Sequence, residues 1–124
     1  MRQRILVGCL LLVPLLCSSG CVALLAGAGG TVLWQGGKVI SEERGSRDHA
    51  VAAVKGAFRA KKITQVDEVT RDAVTQLRGE DPSHAKVAVD IFETGARSVR
   101  IEIRVGLAER VAARELLDQI KKRL

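Results

Sequence analysis

The sequence predicts an α+β fold: a two-layer sandwich in which an antiparallel meander of about four strands is covered on one face by two helices. Two observations carry this expectation. Lys86–Glu93 and Ser98–Val105 alternate apolar and polar residues on either side of a Thr94-Gly95-Ala96 turn, which is the period of a half-buried hairpin. Ser46–Lys61 and Leu107–Arg123, which bracket the strand-like region, carry apolar residues at helical spacing. An antiparallel sheet with one apolar face needs a cover, and two amphipathic helices can supply it. The expected order is α-β-β-β-β-α.

Each element has its own warrant. Thr31-Val32-Leu33-Trp34 is β-prone, and Gly36-Gly37 is a turn signal, so Lys38-Val39-Ile40-Ser41 is the natural return strand of a short hairpin. Ser46 or Asp48 caps the first helix, with Val51, Val54 and Phe58 on its inner face beside Ala50 and Ala57. The basic cluster Arg59-Ala60-Lys61-Lys62 falls at its C-terminal end, where positive charge suits the helix dipole. Ile63–Val69 is irregular but β-rich, and Ala73–Arg78 is the second strand of the meander. Gly79-Glu80-Asp81-Pro82-Ser83 reads as a loop. In the hairpin that follows, Val87, Val89 and Ile91 share the inner face with Val99, Ile101, Ile103 and Val105, while Arg100, Glu102 and Arg104 face outward. Gly106 closes the last strand. In the final helix Leu116, Leu117, Ile120 and Leu124, with Ala113 and Val111, form the apolar stripe, and Arg110, Arg114, Asp118, Gln119 and Lys122 the wet one.

The N-terminal segment has a different character. Arg2 and Arg4 lead into an apolar run, Ile5–Cys17, then Ser18-Ser19-Gly20 and Cys21. Charged, apolar and small residues in that order are a secretory signal, and the cysteine just after it is the residue a lipoprotein-processing system modifies. Residues 1–20 are therefore expected to be a signal peptide cut between Gly20 and Cys21, with Cys21 lipidated. Ser18 departs from the aliphatic residue usual three places before the cysteine. Cys9 and Cys17 would leave with the signal, so the mature chain would hold one cysteine and no internal disulfide. A thioether-linked diacylglycerol with a further chain on the new N-terminus gives stable anchoring, where one chain would be marginal. Residues 21–37 would be a glycine-rich tether with the short strand, and 38–124 a single small domain. Ile5–Trp34 also lacks any charge, so an uncleaved membrane span associating through Gly27, Gly29 and Gly30 is the alternative anchor. Val22, rather than aspartate, after the cysteine favours the outer membrane over the inner one, with the domain facing the periplasm.

Composition narrows the function classes. The chain has 124 residues, a formal net charge of +6 and three aromatic residues, Trp34, Phe58 and Phe92, so its core must be aliphatic. An exported protein with no aromatic stacking platform is a poor nucleic-acid binder. Its mild positive charge suits anionic lipid headgroups or polyanionic surface glycans. No catalytic constellation stands out. His49 and His84 lack a second ligand at metal spacing, and Ser41, Ser46, Ser83 and Ser98 lack a nucleophile-elbow setting. The acid pairs Glu42-Glu43 and Glu80-Asp81 read as solvated loops. Asp67-Glu68 would point to opposite faces of a strand. Gly27-Ala28-Gly29-Gly30 has no phosphate-loop lysine after it. His84 is expected to be a solvated loop histidine, with a pair to Asp81 as the alternative. The expectation is a protein that is not an enzyme and holds no cofactor or metal. Its candidate interaction surface is the outer sheet face, with Arg100 and Arg104 beside Asp90 and Phe92, together with the basic helix end Lys121, Lys122 and Arg123. A groove between helices and sheet is the alternative, for a small ligand.

The motif Gly20-Cys21, the stretch Ala26-Gly27-Ala28-Gly29-Gly30-Thr31, the Gly36-Gly37 turn, and Ile103-Arg104-Val105-Gly106 leading to a helix ending Ile120-Lys121-Lys122-Arg123-Leu124 together resemble a family of small proteobacterial lipoproteins. That family is grouped as domain of unknown function 3568. The resemblance covers most of the chain after Cys21. It departs at Leu33-Trp34-Gln35, where such proteins tend to carry tyrosine. It implies an envelope lipoprotein with a small α+β domain and implies no catalytic residues.

Overall fold

The computed structural model describes residues 32–124. Gly20, Cys21, the signal segment and the tether up to Thr31 lie outside the described residues.

Six strands and two helices follow one another as β1 (Val32–Gln35), β2 (Lys38–Arg44), α1 (Arg47–Ala60), β3 (Thr64–Arg71), β4 (Val74–Glu80), β5 (Lys86–Gly95), β6 (Ser98–Val105) and α2 (Arg110–Lys121). The strands form one antiparallel sheet in the order β1-β2-β6-β5-β4-β3, with both helices on one face. The expected α+β sandwich and the β3–β6 meander are present. The expected strand number of about four is too low, because the N-terminal hairpin is part of the same sheet. β2 pairs with β6 through Val39↔Ile103 and Ser41↔Ile101, which puts the hairpin beside the last strand rather than off the domain.

The glycine turn is the reason the hairpin forms. Gly36 and Gly37 both have positive φ, +61° and +76°, as a two-residue hairpin turn that matches the strand twist requires. β4 runs two residues further than expected, through Gly79 and Glu80. Gly79 is a strand residue, not a loop signal: a Cβ there would lie 2.7 Å from Ile63 Cγ2 and 2.9 Å from the Thr64 carbonyl oxygen, so its missing side chain lets β3 approach. The irregularity of β3 is a bulge between Gln65 and Asp67, which leaves Val66 exposed.

Helix α1 is capped by Ser46, whose Oγ accepts the His49 backbone N–H at 3.1 Å. Its buried face is Ala50, Ala53, Val54, Ala57 and Phe58, with Val51 only partly covered. Helix α2 is shorter than expected at its start. Gly106 (φ +59°) and Ala108 (φ +113°) turn the chain out of the sheet, and the Glu109 N–H bonds back to the Val105 carbonyl at 2.8 Å. The helix therefore begins at Arg110 rather than Leu107. This rotates Val111 out of the apolar stripe, which consists of Ala113, Leu116, Leu117 and Ile120.

Between the layers lies one aliphatic core: Leu77, Val87, Val89 and Ile91, then Val99, Ile101, Ile103 and Val105, meet the two helix faces, and Phe58 is its only fully covered aromatic ring among the described residues. Each such aliphatic side chain contributes about 1.5–3 kcal/mol by leaving water. The alternation that predicted β5 and β6 thus sends every second residue into this core and the others onto a face that no helix covers.

Candidate functional site

That uncovered face is the candidate site, and strand register builds it row by row. Arg71, Val74, Phe92, Arg100 and Glu42 are consecutive cross-strand neighbours over β3, β4, β5, β6 and β2. The adjacent row is Val69, Gln76, Asp90, Glu102, Ile40 and Leu33. A third row carries Asp67, Arg78, Ala88 and Arg104. Cations in the outer rows therefore flank the acids of the middle row.

Both acids of the middle row are engaged. Glu102 is only 8% exposed although it lies on the wet face. Lys38 Nζ reaches its Oε1 at 2.7 Å and Arg100 Nε its Oε2 at 3.0 Å, so the carboxylate that has lost water has a cation on each oxygen. Arg100 also lies over the Phe92 ring, 4.5 Å from its centroid. Arg78 Nη1 donates to Asp90 Oδ1 at 2.7 Å. Arg104 reaches sideways, donating to the Gly36 carbonyl at 2.8 Å. Beside this network Val69, Val74 and Phe92 line a shallow depression of about 510 Å³ rimmed by Arg71, Asp72 and Gln76. The floor is apolar, and the rim carries one cation, one acid and one amide.

The structure brings Arg100, Phe92 and Asp90 together on this face, as their sequence spacing predicted, with Arg104 at its edge. Lys121, Lys122 and Arg123 do not form a common patch. Lys121 Nζ lies 3.5 Å from Glu43 Oε1, which also accepts the Ser41 hydroxyl at 2.7 Å. Arg123 donates to Gln119 and packs along Gly56 of α1, where a Cβ would lie 2.8 Å from its Cδ. Only Lys122 of the three makes no side-chain bond among the described residues. Two of these cations fasten α2 to the sheet and to α1.

Three acid readings need correction. Glu42 and Glu43 are not in a loop: they lie on β2, Glu42 outward and Glu43 inward with a side chain 10% exposed. Glu80 ends β4. His84 is a solvated turn histidine, its side chain 86% exposed, and its Nδ1 meets Glu80 Oε1 at 2.7 Å rather than Asp81. Asp81 instead organises the β4–β5 turn: its Oδ1 accepts the Ser83 hydroxyl at 2.6 Å and the Ser83 and Ala85 N–H groups at 2.9 Å each. The Ser83 hydroxyl, then these backbone donors, hold the Asp81 carboxyl below its ordinary range. Asp67 and Glu68 do point to opposite faces; Glu68 pairs with Lys55 of α1 at 3.0 Å.

Lys38 and Arg78 were not singled out from the sequence, although each completes an ion pair. The signal for Lys38 was weak: alternation with Val39 put it outward, but its partner lies 64 residues away. The groove between α2 and the sheet measures about 330 Å³. Ile63, Val87, Val105 and Leu116 line it with Pro82 and Ala112, and Lys61 and Glu115 meet across its mouth at 3.4 Å. Its polar rim groups bond to one another or, for Asp81, to the turn, rather than converging inward.

A family described as "Protein of unknown function (DUF3568)" matches residues 4–123. The match reaches further towards the N-terminus than the resemblance read from Cys21 onward. No curated protein matches the chain.

Proposed function

The chain belongs to the DUF3568 family, and on that premise we propose that it is a lipid-anchored bacterial cell-envelope protein that binds other envelope proteins and catalyses no reaction. The observation that carries the anchor is the order Arg2, Arg4, Ile5–Cys17, Ser18-Ser19-Gly20, Cys21. Cys21 would carry the lipid, Gly20 would be the last residue removed, and the domain would face the periplasm, at the outer membrane in preference to the inner.

The binding role is supported by the uncovered sheet face. Val69, Val74 and Phe92 offer apolar area, with Arg71 and Arg100 beside them. Because Glu102 and Asp90 already have their counter-ions within the face, a partner need not strip water from lone carboxylates there. The helix end is the weaker half of the original candidate surface, since Lys121 and Arg123 are engaged within the domain.

Two measurements test this reading. The intact mass of protein purified from membranes should correspond to a chain starting at Cys21 with more than one acyl chain; an intact Met1 would replace the lipid anchor by an uncleaved span. That span would have to end before Val32, because Val32–Gln35 is a strand. A photoreactive residue in place of Val74 should crosslink to a defined envelope protein in cells, and Arg71→Glu should abolish the adduct. Absence of any adduct from Val74 would remove the sheet face as the binding surface.

A further inference from the structure

Trp34 is the only tryptophan of the chain, and it stands where the N-terminal hairpin overhangs a helix. Alternation along β1 turns Val32 and Trp34 to the helix side of the sheet, and the register partner of Trp34 is the core residue Val39 of β2. On α2, Arg110 and Arg114 lie one turn apart, on the flank beside the buried stripe of Ala113, Leu116, Leu117 and Ile120. Lys121 continues that flank and reaches Glu43 of β2, so the flank looks towards the hairpin. Hairpin and helix leave a narrow cleft of about 180 Å³ between them, lined by Val32, Trp34 and Val39 from one and by Arg110 and Arg114 from the other.

The two arginines lack a close anion. Arg110 lies over the indole, its guanidinium carbon 5.7 Å from the ring centroid, and makes no side-chain hydrogen bond or ion pair among the described residues. A guanidinium stacked on a ring directs its N–H groups outward in its own plane, where an oxoanion can accept them. Arg114 has only Asp118, 3.9 Å from its Nε, with both side chains more than half exposed. Glu43 is taken by Lys121 and the Ser41 hydroxyl, and the Glu109 carboxyl is folded over Gly106. Arg110 also opens α2, whose first turn holds no acid and whose N-cap makes no side-chain bond. The helix dipole disfavours a cation at that end, so Arg110 stands against the local electrostatic preference.

We propose that the cleft between β1 and α2 binds a small organic anion, a carboxylate or phosphate carried on an apolar group. The head group lies between Arg110 and Arg114 and offsets the conflict of charge and dipole at the helix start. The apolar body packs on Trp34, Val32 and Val39. At 180 Å³ the cleft is smaller than the roughly 300–1,000 Å³ of sites for drug-sized molecules, which restricts that body to a single ring or a short chain. The cleft lies on the helix side of the sheet and belongs to neither the outer face nor the lipid anchor.

The single indole reports occupancy directly. The full chain is titrated with cyclohexanecarboxylate, cyclohexyl phosphate, inorganic phosphate and the neutral cyclohexanemethanol while Trp34 emission is followed. At least one of the two cyclohexyl anions is expected to give a saturable change at millimolar concentration or below, and the tighter of them names the head group. Inorganic phosphate and cyclohexanemethanol are expected to bind more weakly than that anion. Arg110→Gln combined with Arg114→Gln is expected to weaken the binding by about tenfold or more and to keep the cooperative melt, since both side chains are exposed. Arg97→Gln, in the β5–β6 turn at the other end of β6, is expected to leave it unchanged. Titration of the parent chain can overturn the proposal by itself. No saturable change with either cyclohexyl anion does so, as does equal affinity for inorganic phosphate or for cyclohexanemethanol. Equal weakening by Arg97→Gln would make the effect one of overall charge and overturn the cleft as the site.

Discussion

At the scale of single residues, this protein manages charge by pairing it in place. Glu102 shows this best: an outward-facing carboxylate kept from water by the two cations it binds. Glu102→Ala leaves Lys38 and Arg100 close together without their shared anion. Both cations are about a third exposed, so the cost falls below that of a fully buried pair, about 1–2 kcal/mol, measurable as a lower urea midpoint with unchanged slope. Asp81 acts differently, because its partners are mainly the hydroxyl and N–H groups of its own turn. Its carboxyl is held below its ordinary value of 3.8. A group whose pKa is depressed by folding adds stability that is complete above the unfolded value and disappears as pH falls through the folded one. The stability gap between the parent and Asp81→Ala is therefore expected to be constant near neutrality and to narrow below pH 3.8. Thermal melts across that range read it directly, and a gap that widens on acidification would refute the assignment.

At the scale of elements, turns decide more than strands do. Gly36 and Gly37 both sit at positive φ, but a Cβ on Gly36 would meet open space and one on Gly37 would strike Ala108. Gly36→Ala is expected to cost roughly 1 kcal/mol from conformation alone, and Gly37→Ala more, because contact with the β6–α2 turn adds to it. Differential denaturation of the two variants tests the order. The same contrast explains how much of the molecule could be read from its sequence. β5 and β6 were legible because Val87, Val89 and Ile91 and then Val99, Ile101 and Ile103 alternate without interruption, and the Ser46 cap marked the start of α1. The beginning of α2 was not legible, since Leu107 and Val111 fit a helical apolar pattern and only the Gly106–Ala108 turn shows that they face outward. Gly79 misled in the opposite direction: a breaker by type, it is a strand residue because of what stands over it. At the candidate site, Arg100, Arg104, Asp90 and Phe92 followed from alternation. Lys38 did not, because the pairing of β2 with β6 joins segments that no local pattern connects.

At the scale of the whole molecule, that pairing also orders events in time. Val39 has Ile103 as its neighbour and Ile40 has Glu102, so β2 finds its inner partner only when nearly the whole chain is present. The meander β3–β6 can assemble from neighbours in sequence, whereas attaching the β1–β2 hairpin means closing a loop that contains α1 and the meander itself, an entropic cost that must be met before the contact is gained. A chain ending at Ala96 lacks β6 and α2, and with them Val99, Ile101, Ile103, Leu116, Leu117 and Ile120 of the core. It is expected to show no cooperative melt by circular dichroism, and a sharp transition in such a fragment would contradict this. The N-terminal hairpin is thus expected to be the last part of the sheet to find its place: the strand that receives it and the helix that covers it are both encoded in the last quarter of the chain, so the two ends of the polypeptide must meet before the core is closed.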